Sequence, residues 1–238
     1  MNILGLITAR GGSKGISNKN IVELNGRPLI SYTIDAAKKS KLLERTVLNT
    51  DSNEIIKIGI EHQIEVPFVR PSELAEDGTS SVDVILHHIQ WMKKNENHIP
   101  DAILLLQPTS PLRTEKHIDQ AIKIFAENNP NTLVSVTSVP HNYNPYNIME
   151  MKDGTLVNYH NEETSFNRYQ RQNLPKLYAR NGPAILLIRS EFLLKNRAIY
   201  GDNCMGYEMS QEDSIDIDTI TDLKIAEGLL KKRNKNNG

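Results

Sequence analysis

The chain has 238 residues, of which 38% are hydrophobic and 24% charged, and its formal net charge is −1. This length suits one α/β domain with an appendage, and the balanced charge offers no broad basic field for nucleic acid. Cys204 is the single cysteine, so no intrachain disulfide can form; we expect a reducing compartment and a packed thiol. No stretch approaches the ~18 apolar residues of a membrane helix, and no signal-peptide pattern opens the chain. We therefore expect a cytoplasmic protein without a membrane partner.

Strand-like and helix-like segments alternate along the first ~140 residues, as in a parallel sheet with crossover helices. Strands are predicted at 3–7, 46–51, 66–69, 102–106 and 133–136. Between them, helices are predicted after Pro28, around Ile55, after a cap at 79–81, and around Ala121. The run 102–106 is continuously apolar, which predicts a central strand buried on both faces.

The character of the chain changes from about residue 139. Asp153-Gly154 lies between two short apolar pairs and predicts a hairpin. We interpret 139–180 as an arm that projects from a core formed by 1–138 and 181–238, and we expect it to pair subunits in a homodimer. The sheet resumes at 184–188, and a last helix is predicted over 219–231. The predicted fold is α/β, with a mostly parallel sheet, flanking helices and a projecting dimerisation arm.

A glycine-rich basic loop over residues 9–20 leaves the first strand. Its three glycines let backbone N–H groups crowd around an anion, and Arg10, Lys14 and Lys19 bring three positive charges. The spacing fits neither the P-loop nor the dinucleotide fingerprint, which argues against a kinase-like ATPase and an NAD enzyme. Loops at strand ends of open α/β sheets bind ligands, so we predict a triphosphate site rather than a solvated turn.

A second motif, Leu105 to Arg113, follows the most buried strand. Its two prolines fix a rigid loop, and Gln107, Thr109 and Ser110 offer donors and acceptors toward a polyhydroxylated ligand. Ordinary turn chemistry with a helix cap is the alternative.

A third motif places two carboxylates, Asp216 and Asp218, at alternate positions of an extended chain, so that both point to one face. Two hard oxygen ligands suit Mg²⁺, which takes one or two carboxylates together with substrate phosphates and water. The alternative is that these charges favour the N-terminus of the following helix. A phosphate loop elsewhere in the chain favours the metal.

Other polar residues carry weaker signals. Arg70 follows a strand and either reaches a phosphate or ribose or lies on the surface. Ser80 and Ser81 either contact a ribose or cap a helix. His87 and His88 have no Cys or His partners at metal spacing, so we expect partly solvated side chains rather than a zinc site.

These motifs, in this order, resemble the N-acylneuraminate cytidylyltransferases, also called CMP-sialic acid synthetases. The resemblance spans nearly the whole chain and rests on residues 9–15, Lys19-Asn20, 70–75, 105–113, 171–175, Asn181-Gly182 and 213–219. It implies a nucleotidyltransferase fold and a homodimer whose arm helps to build the partner's site. It also implies that CTP and a nine-carbon 2-keto sugar acid give a CMP-sugar and pyrophosphate with Mg²⁺.

The resemblance also assigns roles to matching residues. It implies a nucleotide site of Ala9, Arg10, Gly11, Ser13, Lys19, Asn20, Arg70 and Ser81. It implies a sugar site of Gln107, Thr109, Ser110 and Arg171. Asp216 and Asp218 would bind Mg²⁺, and Arg10, Lys19 and Asp216 would carry the catalysis.

One departure from the family bears on the sugar. Sialic acid members typically read Asn-Gly-Ala-Ile-Tyr, whereas this chain continues from Asn181-Gly182 into Pro183-Ala184-Ile185-Leu186. An aliphatic residue thus replaces the tyrosine expected near the sugar, which favours a more apolar relative such as a legionaminic or pseudaminic acid. The alternatives are a 3-deoxy-octulosonate (Kdo) cytidylyltransferase and a nucleotide-sugar glycosyltransferase. The latter usually carries its Asp-x-Asp on a mid-chain strand, which here ends in Gln107-Pro108.

Overall fold

A computed structural model describes residues 1–13, 15–159, 171–182 and 184–236. Its strands are β1 (Ile3–Thr8), β2 (Glu23–Leu24), β3 (Arg27–Pro28), β4 (Arg45–Asn49), β5 (Ala102–Leu106), β6 (Thr132–Ser138), β7 (Met149–Lys152), β8 (Thr155–Asn158), β9 (Tyr178–Arg180), β10 (Leu186–Arg189) and β11 (Cys204–Glu208). Its helices are α1 (Leu29–Lys39), α2 (Asn53–Glu61), α3 (Ser81–Asn95), α4 (Glu115–Asn128), α5 (Ser190–Asn196) and α6 (Ile220–Asn236).

The central sheet has seven strands in the order β11-β6-β10-β5-β1-β4, with β9 also paired to β6. β1 runs parallel to β4 and β5, and β6 runs parallel to β11. β10 joins the two parallel groups by pairing antiparallel with both β5 and β6. This confirms the predicted α/β class, with one antiparallel strand in the middle of the sheet that periodicity alone does not indicate.

β9 and β10 pair one after the other along the same side of β6. Val136 pairs with Arg180, and Val134 pairs with Leu186, so the chain between Arg180 and Leu186 is longer than the span of β6 that it passes. After Arg180 the chain leaves the ladder at Asn181 and Gly182, and it is again bonded to β6 at Ile185, whose carbonyl accepts from the N–H of Ser135 at 2.8 Å. We call the departure at Asn181 and Gly182 the bulge. Bulges re-aim side chains beside active sites, and this one carries Gly182 toward the end of the sheet.

Side chains that alternate along the strands build a core on both faces of the sheet. Ile7 and Leu104 pack with α1 and α4 on one face, and Leu6 and Leu105 pack with α3 on the other. The predicted burial of both faces of β5 is therefore confirmed. A third cluster includes Ala226 and joins α6 to the β2–β3 hairpin.

Several local expectations were wrong. Residues 66–69 form no strand: only Val69 makes an isolated bridge, to Thr50, and Glu65 makes another to Val47, because Pro67 between them lacks the N–H that a ladder requires. Edge strand β11 was not predicted, and Cys204 at its start is exposed rather than packed. The last helix extends to Asn236, beyond its predicted end at 231.

The β7–β8 hairpin is confirmed, with φ of 50° at Asp153 and 80° at Gly154 in its turn. The same signal, Asn25-Gly26, makes the β2–β3 hairpin and was missed. All four residues of β7 are exposed. Residues 160–170 of the predicted arm lie outside the described residues, and the arm's boundaries stay a prediction.

Candidate active site

A cleft of about 640 Å³ opens where the parallel strands β1 and β5 end. This is the edge at which open α/β sheets bind ligands. Ten residues singled out from the sequence line it together: Arg10, Ser13, Lys19, Asn20, Arg70, Ser81, Gln107, Thr109, Asp216 and Asp218. The three motifs, with positions up to 208 residues apart along the chain, thus meet in one place.

The remaining candidates lie elsewhere. Ala9 is packed in the core, and its N–H donates to the carbonyl of Asn49 at 3.1 Å. The N–H of Gly11 donates to the Asp51 carboxylate at 3.0 Å. Ser110 is fully buried behind the cleft, with no partner for its hydroxyl among the described residues.

Two further candidates fall in or beside segments that the structure leaves out. Arg171 opens a short 3₁₀ turn, but its side chain lies outside the described part of the structure, as does Lys14. Their roles stay predictions.

Arg10, Lys19 and Arg70 form what we call the basic wall of the cleft. Arg10 is paired with Asp77, with 2.7 Å between Nη2 and Oδ1, and it donates to the carbonyl of Ala75 at 3.3 Å. Sequence reasoning missed Asp77, which also lines the cleft and follows the quoted 70–75 motif by two positions.

Lys19 is held by one of the predicted metal ligands. Its Nζ lies 2.8 Å from Oδ1 of Asp218, and the Asp218 side chain is 72% exposed. The neighbouring Asn20 is buried, and its Nδ2 donates to the carbonyl of Arg10 at 2.9 Å. Asn20 therefore holds the loop in shape, and Lys19 reaches across the cleft.

Arg70 is 5% exposed, so the alternative of a surface arginine was wrong. Its Nε and Nη2 donate to Oδ1 and the carbonyl oxygen of Asn49, both at 2.5 Å. Burial lowers the pKa of Arg70 to about 10, with the nearby Asp51 opposing the change. Arg70 is thus a fixed cation at neutral pH, with a rigid side chain.

Ser80 precedes α3 and Ser81 begins it. Helix capping and ligand contact were the two roles expected for these serines. The Oγ of Ser80 accepts from the N–H of Asp83 at 3.1 Å and caps the helix. Ser81, the first residue of α3, lines the cleft. Capping therefore accounts for one serine, which leaves the other for a ligand.

Asp216 and Asp218 form what we call the acidic wall, which the first loop reaches through Lys19. The N–H of Ile217, between them, donates to the carbonyl of Thr109 at 2.8 Å. This bond fixes the acidic segment to the loop of the second motif, residues 107–113, which we call the Gln107 loop. Asp216 Oδ1 is buried and has no hydrogen-bond partner among the described residues. Burial raises the pKa of Asp216, the charge of Asp218 adds to this, and a hydrogen bond from Thr109 opposes it. A buried carboxylate oxygen without a hydrogen-bond partner suits a hard cation, because such cations bind oxygen ligands.

Two glycines allow the acidic wall to approach its neighbours. A Cβ on Gly182, whose φ is +110°, would lie 2.9 Å from Cγ of Asp216. A Cβ on Gly15 would lie 2.6 Å from the carbonyl oxygen of Asp218. Any larger residue would push the carboxylates away.

Arg113 braces the Gln107 loop from behind. It is 2% exposed and donates to the carbonyls of Gln107 and Ala184 at 3.2 and 2.7 Å, and to Oγ1 of Thr33 at 2.6 Å. The arginine of the second motif is thus a scaffold residue, which sequence reasoning did not anticipate.

The family departure near residue 185 lies outside the cleft wall. Ile185 and Leu186 are at most 1% exposed and belong to the core. Within this chain, the aliphatic replacement therefore affects packing and does not itself reshape the cleft.

Of the histidine pair, His87 is partly exposed as expected, and His88 is not. His88 is 1% exposed, contacts Asn49 through Nδ1 at 3.2 Å, and has its pKa lowered to about 4 by burial. Within residues 1–13, 15–159, 171–182 and 184–236, no three His, Cys, Asp or Glu side chains gather as metal ligands. No helix in the described part of the chain is long and apolar enough to cross a membrane.

Comparison with known proteins adds a family and several relatives. The model of the family described as Cytidylyltransferase matches residues 4–236. "Post-translational flagellin modification protein B" of Campylobacter coli is 36% identical, over 98% of this chain and 96% of that protein. "CMP-N,N'-diacetyllegionaminic acid synthase" of Campylobacter jejuni is 34% identical over 98% and 96%. "N-acylneuraminate cytidylyltransferase" of Escherichia coli O18:K1:H7 is 32% identical over 98% of this chain and 53% of that protein.

A solved structure shares the fold. It is described as CMP:2-keto-3-deoxy-manno-octonic acid synthetase complexed with CTP. It superposes with a TM-score of 0.70 at 14% identity, over 98% of this chain and all of that one. The sheet and its flanking helices are therefore those of a nucleotidyltransferase.

Proposed function

The chain belongs to the cytidylyltransferase family, and from this premise we propose that it couples CTP to a nine-carbon 2-keto-3-deoxy sugar acid. The products are a CMP-sugar and pyrophosphate. Relatives with this similarity include a CMP-N,N'-diacetyllegionaminic acid synthase and an N-acylneuraminate cytidylyltransferase. Both names describe activation of this class of sugar acid by cytidylyl transfer.

One observation carries the proposal beyond the family. The same cleft is lined by a basic wall, by two carboxylates and by polar groups of the Gln107 loop. A basic wall suits a triphosphate, carboxylates suit its cation, and the loop offers hydrogen bonds to a sugar. A glycosyltransferase would carry its Asp-x-Asp on a mid-chain strand, whereas this motif follows β11.

In the proposed reaction, the anomeric hydroxyl of the sugar acid attacks the α-phosphorus of CTP and releases its proton to the solvent of the open cleft. The bond from that phosphorus to the bridging oxygen breaks, and pyrophosphate leaves with the electron pair. Such transfer depends on positioning and on neutralising charge. Arg10 and Lys19 serve this role by exchanging Asp77 and Asp218 for phosphate oxygens, and buried Arg70 holds the nucleotide.

We also propose that Asp216 and Asp218 hold Mg²⁺. The unsatisfied buried oxygen of Asp216 supports this assignment. When bound, the ion polarises and clamps phosphate oxygens. A direct catalytic role for Asp216 beyond metal binding stays a prediction.

The exposed apolar residues of the β7–β8 hairpin support a homodimer. Met151 is 70% exposed and Leu156 is 55% exposed. Such a patch is typical of an interaction surface. We expect light scattering to give twice the 26.9 kDa chain mass, and Met151→Lys with Leu156→Lys to halve it. A cytoplasmic location remains a prediction from the cysteine content.

The experiment for the activity is pyrophosphate release from CTP and Mg²⁺ with four acids: N-acetylneuraminate, legionaminate, pseudaminate and Kdo. We expect release with one nine-carbon acid. Release with Kdo alone would replace the proposed substrate with an octulosonate. Silence with all four acids, together with no thermal shift by CTP, would contradict the nucleotide site.

A further inference from the structure

Asn181 is a buried amide to which the proposed reaction gives no role. It is 5% exposed and begins the bulge that follows β9, directly before Gly182. A buried amide costs free energy unless its hydrogen bonds are made. Its partners therefore reveal what this side chain holds together.

The hydrogen bonds of Asn181 form a directed chain. Ser135 Oγ accepts from the N–H of Ile185 at 2.8 Å and donates to Asn181 Oδ1 at 2.6 Å. Asn181 Nδ2 donates to Ser214 Oγ at 2.8 Å, and Ser214 donates onward to the carbonyl of Ser210 at 2.6 Å. Each hydroxyl accepts once and donates once, so one amide orientation satisfies the whole chain.

This chain fixes two structures beside Asp216. Gly182 follows Asn181, and the carboxylate of Asp216 occupies the space that a Cβ on Gly182 would take, 2.9 Å from Cγ. Ser214 lies two residues before Asp216, in the short 3₁₀ turn Glu212–Ser214 that leads into the acidic wall. Asn181 thus ties the surface under the carboxylate to the backbone that carries it.

We propose that Asn181 is a positioning residue for the metal-binding carboxylate of Asp216. The amide holds the bulge and the turn in one register, which leaves Asp216 Oδ1 without a hydrogen-bond partner in the described part of the chain and available to a divalent cation. The inference rests on the proposed function in one respect, namely that Asp216 binds the metal. Partners that orient metal ligands change metal affinity about 10–100-fold when removed.

A purely structural role predicts something different. If Asn181 only filled and satisfied the interior, its loss would lower the melting temperature and leave the metal affinity of the folded protein unchanged. Metal affinity of the folded variant therefore separates the two roles.

The test titrates Mn²⁺ alone into the full-length protein and follows free Mn²⁺ by electron paramagnetic resonance. We expect Asn181→Ala to weaken binding about 10–100-fold. Ser214→Ala removes the two bonds at the Ser214 end of the chain and leaves the bond between Ser135 and Asn181, so we expect it to weaken binding several-fold. The Mg²⁺ concentration for half-maximal turnover should rise with the dissociation constant, while kcat at saturating Mg²⁺ falls less.

Asn131→Ala is the matched control. It truncates an amide beside the opposite end of β6, where Asn131 Nδ2 donates to the carbonyl of Asp202 at 3.0 Å, outside the cleft. We expect wild-type Mn²⁺ affinity in this variant.

Folded Asn181→Ala with wild-type Mn²⁺ affinity would overturn the inference. If that variant does not fold, Ser214→Ala decides in its place, and unchanged affinity there overturns it equally. Failure of the metal site itself has a separate signature: Asp216→Ala would then bind Mn²⁺ as the wild type does.

Discussion

The basic and acidic walls of the cleft satisfy their charges in different ways. On the basic wall each cation has a partner within the chain: Asp77 for Arg10, Asp218 for Lys19 and Asn49 for Arg70. On the acidic wall, Asp216 Oδ1 is buried without a hydrogen bond among the described residues. One wall is satisfied before any ligand arrives, and the other is not.

This difference separates affinity from stability. The ion pairs of Arg10 and Lys19 are partly exposed, so they contribute little to stability and exchange readily for phosphate. A buried carboxylate oxygen without a partner lowers stability until a cation satisfies it. Loss of a charged residue from either wall should therefore lower turnover. Loss of a basic-wall residue should change stability little, whereas loss of the Asp216 charge should raise it.

The largest expected effect is that of Asp216→Asn on turnover. Loss of a direct metal ligand should exceed the ~100-fold cost of losing a residue that merely supports one. We expect pyrophosphate release to fall to background. Asp218→Asn should lose less, because Asp218 is exposed and shared with Lys19. Wild-type turnover in both variants would remove the metal site.

The same Asp216→Asn variant should be more stable than the wild type when no metal is present. Because burial raises the pKa of Asp216, the folded state binds its proton more tightly than the unfolded state. Stability from this group is therefore present at low pH and lost as pH rises through the raised pKa. We expect a higher melting temperature for the variant at pH 7 and a shrinking difference on acidification. A lower melting temperature at pH 7 would contradict the unsatisfied carboxylate.

The next largest effect is expected for Lys19→Ala. Removal of one preorganised group that neutralises developing charge costs about 10²–10³-fold in kcat. The melting temperature should change little, because the Lys19–Asp218 pair is exposed on the Asp218 side. Steady-state kinetics with saturating CTP and Mg²⁺ measure this, with Lys57→Ala, an exposed lysine of α2 outside the cleft lining, as the control. Full turnover in Lys19→Ala would exclude Lys19 from the reaction.

The two walls also differ in how far the sequence predicts them. The residues of both walls come from short motifs in which chemistry dictates residue type, and the structure brings these positions together in the cleft. The residues that hold the walls in place were not predicted. Asn49, Asp77 and Asn181 act through contacts between distant segments, which local spacing does not encode.

The fold was likewise predicted in some parts and missed in others. Apolar runs predicted β1 and β5, because burial of both faces leaves a continuous signal. The sequence did not reveal that β10 runs antiparallel, since periodicity reports burial and not direction. Edge strand β11 escaped because only Tyr207 among its five residues is buried. The strand predicted at 66–69 did not take account of Pro67, which prevents a ladder in the structure.

The smallest effect expected on the basic wall is that of Asp77→Asn. Asp77 competes with a triphosphate for Arg10, and the pair is partly exposed, with 48% of the Asp77 side chain accessible. An exposed ion pair contributes about 0.2–1 kcal/mol, so its loss should tighten CTP binding by at most about five-fold. Calorimetry with CTP in metal-free buffer measures this, and the gain should shrink at high salt because exposed charges are screened. Glu73→Gln removes the same charge from an exposed position outside the cleft wall, which makes it the matched control. If both variants tighten binding equally, the effect is one of net charge and Asp77 holds no special place beside Arg10; if only Asp77→Asn does, the basic wall exchanges its own carboxylate for the phosphate.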